Sequence, residues 1–224
     1  MPRKQRITIP NIAYHITQRG NYRQEVFKKE EDYKHYCRWV NEYSEKYELE
    51  IMAYCLMTNH VHIIGIPLSE YSIARTFNLL NMRYAQYVNK GEKIKGHLWQ
   101  GRYYSCALDE QHLYRAIRYV ERNPVRAKMV KEAWEYSWSS ARYHMGKEER
   151  AAIELSQRFD TVKREEWENY LKEEDLEMCQ EIRIKTHKGL VVGSEGFTNR
   201  LENILGRSLV CRNPGRPKLS GKGS

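Results

Sequence analysis

The positions of apolar and polar residues along the chain predict alternating strands and helices in the first 145 residues. Residues 12–18 mix aromatic and β-branched side chains and stop at an Arg-Gly-Asn turn signal, which predicts a strand. Across Glu30–Lys46, apolar and aromatic residues recur every three or four positions, which predicts a helix with one buried face. Leu49–Met57 and residues 60–66 are apolar runs of strand length separated by only two residues, so we expect an antiparallel hairpin.

The same alternation continues after the hairpin. Ser69 is placed to cap a long helix that keeps the helical period to about Val88, after which glycines interrupt the pattern. Residues 98–108 predict a further strand, and Asp109 is expected to cap a helix through roughly Arg122, where a proline obliges it to end or bend. The order βαββαβ fits the α+β class, with a ferredoxin-like (RRM-like) antiparallel sheet covered by helices.

The composition changes at about residue 145, and we expect a separate helical extension from there to the C terminus. Four helical segments precede a basic tail rich in glycine and proline; they are residues 148–157, 165–171, 174–186 and 194–205. The expected division is a core domain at 1–145 and a helical extension with its basic tail at 146–224.

Composition indicates a globular protein. Of the 224 residues, 41% are hydrophobic and 30% are charged, which excludes wholesale disorder and fibrous classes. No run approaches the 18 apolar residues of a membrane span, and no apolar signal core follows the first residues, so we expect a cytoplasmic protein without a membrane partner. Five cysteines without a CxxC pair argue against a disulfide framework and a cysteine-built zinc site.

The charge balance favours a polyanionic partner. Lysine and arginine number 38 against 29 aspartate and glutamate residues, which gives a net charge of +9. The chain also has 17 tyrosines and five tryptophans, and aromatic faces among arginines are suited to stacking on unpaired bases. Nucleic acid is therefore the first partner to consider.

Two histidines on the second strand of the predicted hairpin carry candidate metal chemistry. Residues at i and i+2 of a strand share a face, so His60 and His62 present their imidazoles side by side. Imidazole nitrogens suit first-row divalent metals, and two protein ligands leave positions open for a third ligand, water and substrate. An isolated pair of this kind is equally expected to be ordinary polar residues on a half-exposed strand.

A tyrosine and an asparagine on the last core helix are the other candidates. One side of this helix has an apolar stripe and the other has arginines: Leu113, Ala116, Ile117 and Val120 against Arg115, Arg118 and Arg122. Tyr119 and Asn123 lie one turn apart between the two sides, so both can reach toward the sheet and toward a phosphate. Taken alone, Tyr119 is equally typical of an amphipathic residue at the boundary of the core.

Three short blocks of the sequence resemble those of a known enzyme family. They are Asn-His-Val-His at 59–62, Leu-Trp-Gln-Gly-Arg-Tyr at 98–103 and Tyr-Val-Glu-Arg-Asn-Pro-Val-Arg-Ala at 119–127. In order and spacing they are similar to the blocks of the IS200-like single-tyrosine HUH transposases, and more so to their REP-associated tyrosine transposase branch. The resemblance covers residues 7–143.

The resemblance implies a catalytic site. It makes residues 1–145 a HUH nuclease domain, with a divalent metal, Mg²⁺ or Mn²⁺, held by His60 and His62 and with Tyr119 as the nucleophile. Asn123 takes the position of the third metal ligand, which is glutamine in many insertion-sequence relatives.

The implied function is metal-dependent nicking and strand transfer on single-stranded, hairpin-forming repeat DNA through a 5′-phosphotyrosine intermediate, with a monomer favoured over a homodimer. The residues expected to contact DNA are arginines, aromatic residues and one asparagine: Arg19, Asn21, Arg23, Trp99, Arg102, Tyr103, Arg115 and Arg122. For Trp99 and Tyr103, burial in the core of a strand is an equal expectation, because alternate strand residues must face inward.

Two other functions fit parts of the sequence. A catalytically silent protein that binds a DNA hairpin or RNA would keep the same core as a binding platform, although the intact histidines and tyrosine speak against silence. A zinc hydrolase that uses His60 and His62 is the other, but the sequence has no glutamate or cysteine at short spacing from these histidines to complete such a site. The remaining histidines, His15 and His187 among them, have no partner at ligand spacing and are expected to be ordinary residues.

Overall fold

A five-stranded sheet forms the centre of the protein. A computed structural model describes residues 8–159 and 164–209, so the basic tail from residue 210 lies outside the described residues. The strands are β1 (Ala13–Arg19), β2 (Leu49–Met57), β3 (His60–Pro67), β4 (Tyr104–Leu108) and β5 (Val191–Val192). They are arranged in the order β2-β3-β1-β4-β5, with β5 parallel to β4 and the other neighbours antiparallel. This arrangement confirms the predicted α+β, ferredoxin-like class.

Helices cover both faces of the sheet. Within the described residues they are α1 (Glu30–Lys46), α2 (Ser72–Glu92), α3 (Glu110–Glu121), α4 (Asn123–Arg126), α5 (Ala141–His144), α6 (Arg164–Lys172), α7 (Leu176–Lys188) and α8 (Glu195–Leu205). α1 and α2 bury their apolar residues against one face, and α3, α6 and α7 bury theirs against the other. None of these helices is long and apolar enough to cross a membrane.

Strand alternation sends neighbouring residues of β1 and β3 to opposite faces of the sheet, one covered by α1 and α2 and the other carrying the candidate site. On β1, Tyr14 and Ile16 are buried on the face covered by α1 and α2. His15 points to the opposite face, beneath α3. The same alternation on β3 brings His60 and His62 to the face of α3, with their ring centroids 4.9 Å apart.

Several boundaries follow the predicted pattern. α1 has the predicted limits, and Asp109 caps α3 by accepting a hydrogen bond of 2.9 Å from the backbone N–H of His112. Ser69 is not the cap of α2. Its hydroxyl accepts a hydrogen bond from the N–H of Tyr71 in the turn before the helix, which begins only at Ser72.

Two elements differ from the prediction because their backbone groups form hydrogen bonds with distant segments. The strand expected at 98–108 is shortened to β4, since the preceding residues pair with the turn after β1, as in the 2.8 Å bond from the N–H of Asn21 to the carbonyl of Leu98. Residues 148–157 are not a helix. The N–H of Ser156 donates to the carbonyl of Ile51 at 2.7 Å, which holds that segment against the edge of the sheet.

The described part of the C-terminal region packs on the same sheet. β5 pairs with β4, and Trp167 of α6 and Ile182 of α7 are buried in the cluster beneath α3. α7 thus lies beside the face that holds His60 and His62. The division of the chain at residue 145 stays a prediction.

Candidate active site

A cleft of about 480 Å³ opens on the face of the sheet that carries α3 and α7. Its lining includes the four predicted residues of the catalytic site, together with side chains from β1 and α7: His60, His62, Tyr119, Asn123, His15, Arg19, Arg183 and Thr186. The fold therefore brings the predicted catalytic and metal-binding residues together at one place.

The two histidines of β3 each use one ring nitrogen for a protein contact. Nδ1 of His60 lies 2.5 Å from Oδ1 of Asn59, and Nδ1 of His62 lies 2.8 Å from Nε2 of His15. Burial lowers the pKa of His60 to about 4, with a further contribution from the Arg19 guanidinium, and burial lowers the pKa of His62 well below its usual range. Both rings are thus neutral at neutral pH, and each keeps one nitrogen lone pair.

Tyr119 packs against His62 of this pair and against His15 of β1. Its ring centroid is 5.6 Å from the centroids of both His62 and His15, and its plane is nearly perpendicular to both rings. Burial raises the pKa of the Tyr119 phenol, whereas the charge of Arg126 and the charge and hydrogen bond of Arg183 act to lower it. The phenol is therefore protonated at neutral pH, so its attack on a phosphate needs help from the site.

Asn123 is the first residue of α4, directly after the C terminus of α3, and it lines the cleft. Its Nδ2 donates to the carbonyls of Tyr119 and Val120, at 3.1 Å each, and so satisfies two carbonyls at the helix C terminus. This use of Nδ2 leaves the side-chain oxygen Oδ1 for another partner.

The donor atoms of the cleft suit a divalent cation. Two imidazole Nε2 atoms and an amide oxygen form a mixed nitrogen and oxygen set of the kind Mn²⁺ accepts. Each imidazole is held through its Nδ1, an arrangement typical of metal-binding histidines. The described residues contain no group of three or more histidine, cysteine, aspartate or glutamate side chains placed to hold a metal, so further ligands would come from Asn123, water and substrate.

Sequence reasoning missed the contribution of β1. His15 is 1% exposed and bonds His62 at 2.8 Å and the hydroxyl of Thr186 at 2.8 Å. Strand alternation indicates that His15 shares a face with Thr17. The register that pairs Thr17 with His62 is set by the tertiary structure and has no local signal.

Sequence reasoning also missed the contribution of α7. Arg183, Thr186 and His187 lie at spacings of three and four, so one face of the helix presents all three to the cleft. This spacing is visible in the sequence, but the position of α7 against the sheet is not.

The residues predicted to contact DNA separate into different environments. Arg19 and Arg23 line the cleft. Trp99 and Tyr103 are buried in the core on the other face of the sheet, with exposed fractions of 9% and 2%, and the indole N–H of Trp99 donates to the carbonyl of Asn81. These two side chains are thus core residues, and their burial removes them from the set available for stacking on bases.

The predicted arginines of α3 are engaged within the protein. Arg115 forms an ion pair with Asp175 at 2.7 Å, and Arg122 donates to the carbonyl of Leu171. Both side chains thus have partners within the protein, and their contact with phosphate stays a prediction. Arg102 is exposed and Asn21 is half-buried beside the turn after β1.

Comparison with known proteins gives one family match. Residues 8–123 match the model of the IS200-like transposase family. No curated protein matches the sequence, whereas 13 chains of solved structures match it.

One of those chains is a REP-associated tyrosine transposase bound to a REP hairpin, with 16% identity, a TM-score of 0.56, and coverage of 70% of this chain and 92% of that chain. A transposase from Deinococcus radiodurans R1 has 20% identity over 54% of this chain and 96% of its own, with a TM-score of 0.37. The tRNA(His) guanylyltransferase of Saccharomyces cerevisiae has 12% identity over 84% and 82%, with a TM-score of 0.41. The first comparison shows a shared fold, and the other two TM-scores are too low to add to it.

Proposed function

The protein belongs to the IS200-like transposase family, whose model matches more than half of the chain, and we propose that this transposase cuts and rejoins single-stranded DNA through a covalent bond to Tyr119. The observation that carries the proposal is the position of the Tyr119 ring, 5.6 Å from that of His62 in an open cleft. A nucleophile and a pair of metal-binding imidazoles therefore face the same space.

The cleavage step is a transesterification. The Oη atom of Tyr119 attacks the phosphorus in line, the bond from phosphorus to the 3′ oxygen breaks, and a 5′-phosphotyrosine forms. The proton that the phenol loses ends on the departing 3′ oxygen, so the products are the covalent adduct and a free 3′-hydroxyl. A 3′-hydroxyl can later attack the adduct and rejoin the strands without ATP, because the bond energy is conserved.

The chain's own residues would hold the cation and the phosphate. His60 and His62 through Nε2, with Asn123 through Oδ1, would bind Mg²⁺ or Mn²⁺. When bound, the ion would supply Lewis-acid polarisation of a non-bridging phosphate oxygen. Arg183 hydrogen bonds to the Tyr119 phenol and would orient the attacking oxygen as its proton leaves.

The substrate we propose is single-stranded DNA next to a hairpin. Tyr119 is 5% exposed on a rigid helix, so the reacting phosphodiester must enter the cleft, which a strand stacked within a duplex cannot easily do. Arg19, Arg23 and Arg183 line the same cleft and would attract the backbone phosphates. The site is also complete within one chain, which favours action as a monomer, and DNA as substrate favours a cytoplasmic location.

The test compares Tyr119→Phe with wild type on a labelled oligonucleotide that carries a hairpin and a single-stranded flank, with Mg²⁺ or Mn²⁺ present. Wild type should form a protein–DNA adduct that survives denaturation, and the phenylalanine variant should form none while binding the oligonucleotide nearly as well. Tyr114→Phe, on the same helix but outside the cleft, is the matched control and should keep adduct formation.

Other outcomes would change the assignment. An adduct with the Tyr119→Phe variant would place the nucleophile elsewhere, and full cleavage in EDTA would remove the metal. Binding by wild type without cleavage under either metal would favour the catalytically silent hairpin-binding protein.

A further inference from the structure

We propose that Thr186 of α7 and His15 of β1 form a hydrogen-bonded relay that holds His62 in the tautomer whose Nε2 is free to bind the metal. The inference rests on the proposed metal role of His62. It adds two positioning residues, and Thr186 lies outside residues 8–123 that match the family model.

The relay is continuous and buried. From the cleft inward, Nδ1 of His62 lies 2.8 Å from Nε2 of His15, and Nδ1 of His15 lies 2.8 Å from Oγ1 of Thr186. Oγ1 of Thr186 in turn lies 3.1 Å from Sγ of Cys106. His15, Thr186 and Cys106 are each 1% exposed, so water does not compete for these contacts.

The direction of the proton donors decides whether His62 can bind a cation. The two imidazoles are buried and share one hydrogen bond, so only one of the two facing nitrogens carries the proton, and each neutral ring has one N–H. In one order, His62 donates from Nδ1 to His15, His15 donates from Nδ1 to Thr186, and Thr186 donates to Cys106. The lone pair of His62 Nε2 then faces the cleft.

In the reverse order, Thr186 donates to His15, His15 donates to His62, and the Nε2 of His62 carries the proton. That nitrogen cannot bind a metal. The Thr186 hydroxyl permits the productive order because it accepts the Nδ1 proton of His15 and still has its own proton to donate.

Removing the hydroxyl should therefore favour the unproductive order. With valine at position 186, an N–H at Nδ1 of His15 would be buried without an acceptor, whereas a bare lone pair there is tolerated better. His15 would then keep its proton on Nε2 and donate it to His62. Loss of such an outer partner typically weakens metal binding by roughly 10- to 100-fold.

The experiment measures Mn²⁺ binding to the full chain by the electron paramagnetic resonance signal of free Mn²⁺, without DNA. Thr186→Val should bind Mn²⁺ about tenfold or more weakly than wild type. Thr186→Ser keeps the hydroxyl and should restore wild-type affinity. Thr198→Val removes the hydroxyl of a half-buried threonine on α8 that does not line the cleft, and it is the matched control. Thermal unfolding confirms folding of each variant, and Thr186→Ala replaces the valine variant if that one does not unfold cooperatively.

A second readout reports the tautomer itself. Two-bond ¹⁵N–¹H spectra of the metal-free protein should show His62 protonated at Nδ1 in wild type and at Nε2 in Thr186→Val. Equal Mn²⁺ affinity of wild type and Thr186→Val would overturn the relay and leave the metal role intact. Absence of Mn²⁺ binding by wild type would overturn the metal role; the spectra of the metal-free protein would then decide the relay, and an unchanged tautomer in Thr186→Val would refute it.

Discussion

Replacing Asp175 by alanine is expected to loosen α7 from α3 and to lower the free energy of unfolding. One oxygen of Asp175 accepts a hydrogen bond of 3.0 Å from the N–H of Met178 and so caps α7. The other oxygen binds Arg115 at 2.7 Å and Arg118 at 3.0 Å. Asp175 therefore fixes the start of the helix whose far end supplies Thr186 to the cleft.

The magnitude follows from the exposure of each partner. Loss of a helix cap costs about 1 kcal/mol. The Arg118 side chain is only 7% exposed, and a lost hydrogen bond to a charged group costs about 1.5–3 kcal/mol, reduced here because Glu173 remains as a second partner. The pair with Arg115, which is 38% exposed, contributes at most about 1 kcal/mol. The expected total is about 2–4 kcal/mol.

Denaturant unfolding of wild type, Asp175→Ala and Asp175→Asn checks this estimate. Asparagine is as good a helix cap as aspartate, so it should retain the cap contribution and lose the ion pairs. Hydrogen exchange should become faster in α7 before it changes in β1 or β3. Agreement of Asp175→Asn with wild type to within about 0.5 kcal/mol would refute the assigned role of the arginines.

The pH dependence of the free energy of unfolding gives an independent check on the ion pairs of Asp175 with the two arginines. Burial alone would raise the pKa of Asp175, but the N–H of Met178 and the arginines outweigh it and hold that pKa below its usual value. A depressed pKa in the folded state stabilises the protein above the unfolded pKa, and this contribution is lost as the pH falls through the folded value. The difference between wild type and Asp175→Asn should therefore shrink below about pH 4.

Three further predictions concern other parts of the molecule. Trp167→Phe removes the indole N–H that donates at 3.0 Å to the fully buried Glu121. Denaturant titrations should therefore show a free energy of unfolding lower by about 1–3 kcal/mol, and an unchanged value would mean that Glu121 finds another donor. Tyr22 is 94% exposed between two arginines that line the cleft, so Tyr22→Ala should weaken single-stranded DNA binding by about 1–3 kcal/mol in fluorescence anisotropy without lowering the melting temperature; unchanged affinity would exclude stacking. Arg23→Ala should reduce the slope of log K against log salt by about 0.7, and an unchanged slope would exclude a phosphate contact.

Local patterns account for much of the fold. The limits of α1 and of the hairpin follow from periodicity and from a two-residue connection, both of which are properties of adjacent residues. The pairing of His60 with His62 is equally local, since it depends only on strand alternation. The approach of Tyr119 to that pair depends on the packing of α3 on the sheet, for which the sequence offered only the family resemblance.

Contacts between distant segments determine the parts of the fold and of the site that local patterns do not predict. His15 meets His62 because β1 pairs with β3 in one register, and a slip of one residue would turn His15 into the opposite core. Residues 148–157 have helical periodicity, yet backbone contacts such as that of Ser156 with Ile51 hold them in an irregular path. Composition and spacing contain no information on such partners.

Charge shows the same limit most clearly, because two groups of arginines lie in different environments. Those of α3, Arg115 and Arg118, look in sequence like a face for nucleic acid, but both form ion pairs with Asp175, and Arg118 also pairs with Glu173. The arginines of the cleft come from the turn after β1 and from α7, such as Arg23 and Arg183. The segment that contains Asp175 and α7 thus pairs with the arginines of α3 and also places the Arg183 guanidinium in the cleft with Tyr119. A net charge of +9 predicts a polyanionic partner, but only the tertiary structure indicates which arginines remain to meet it.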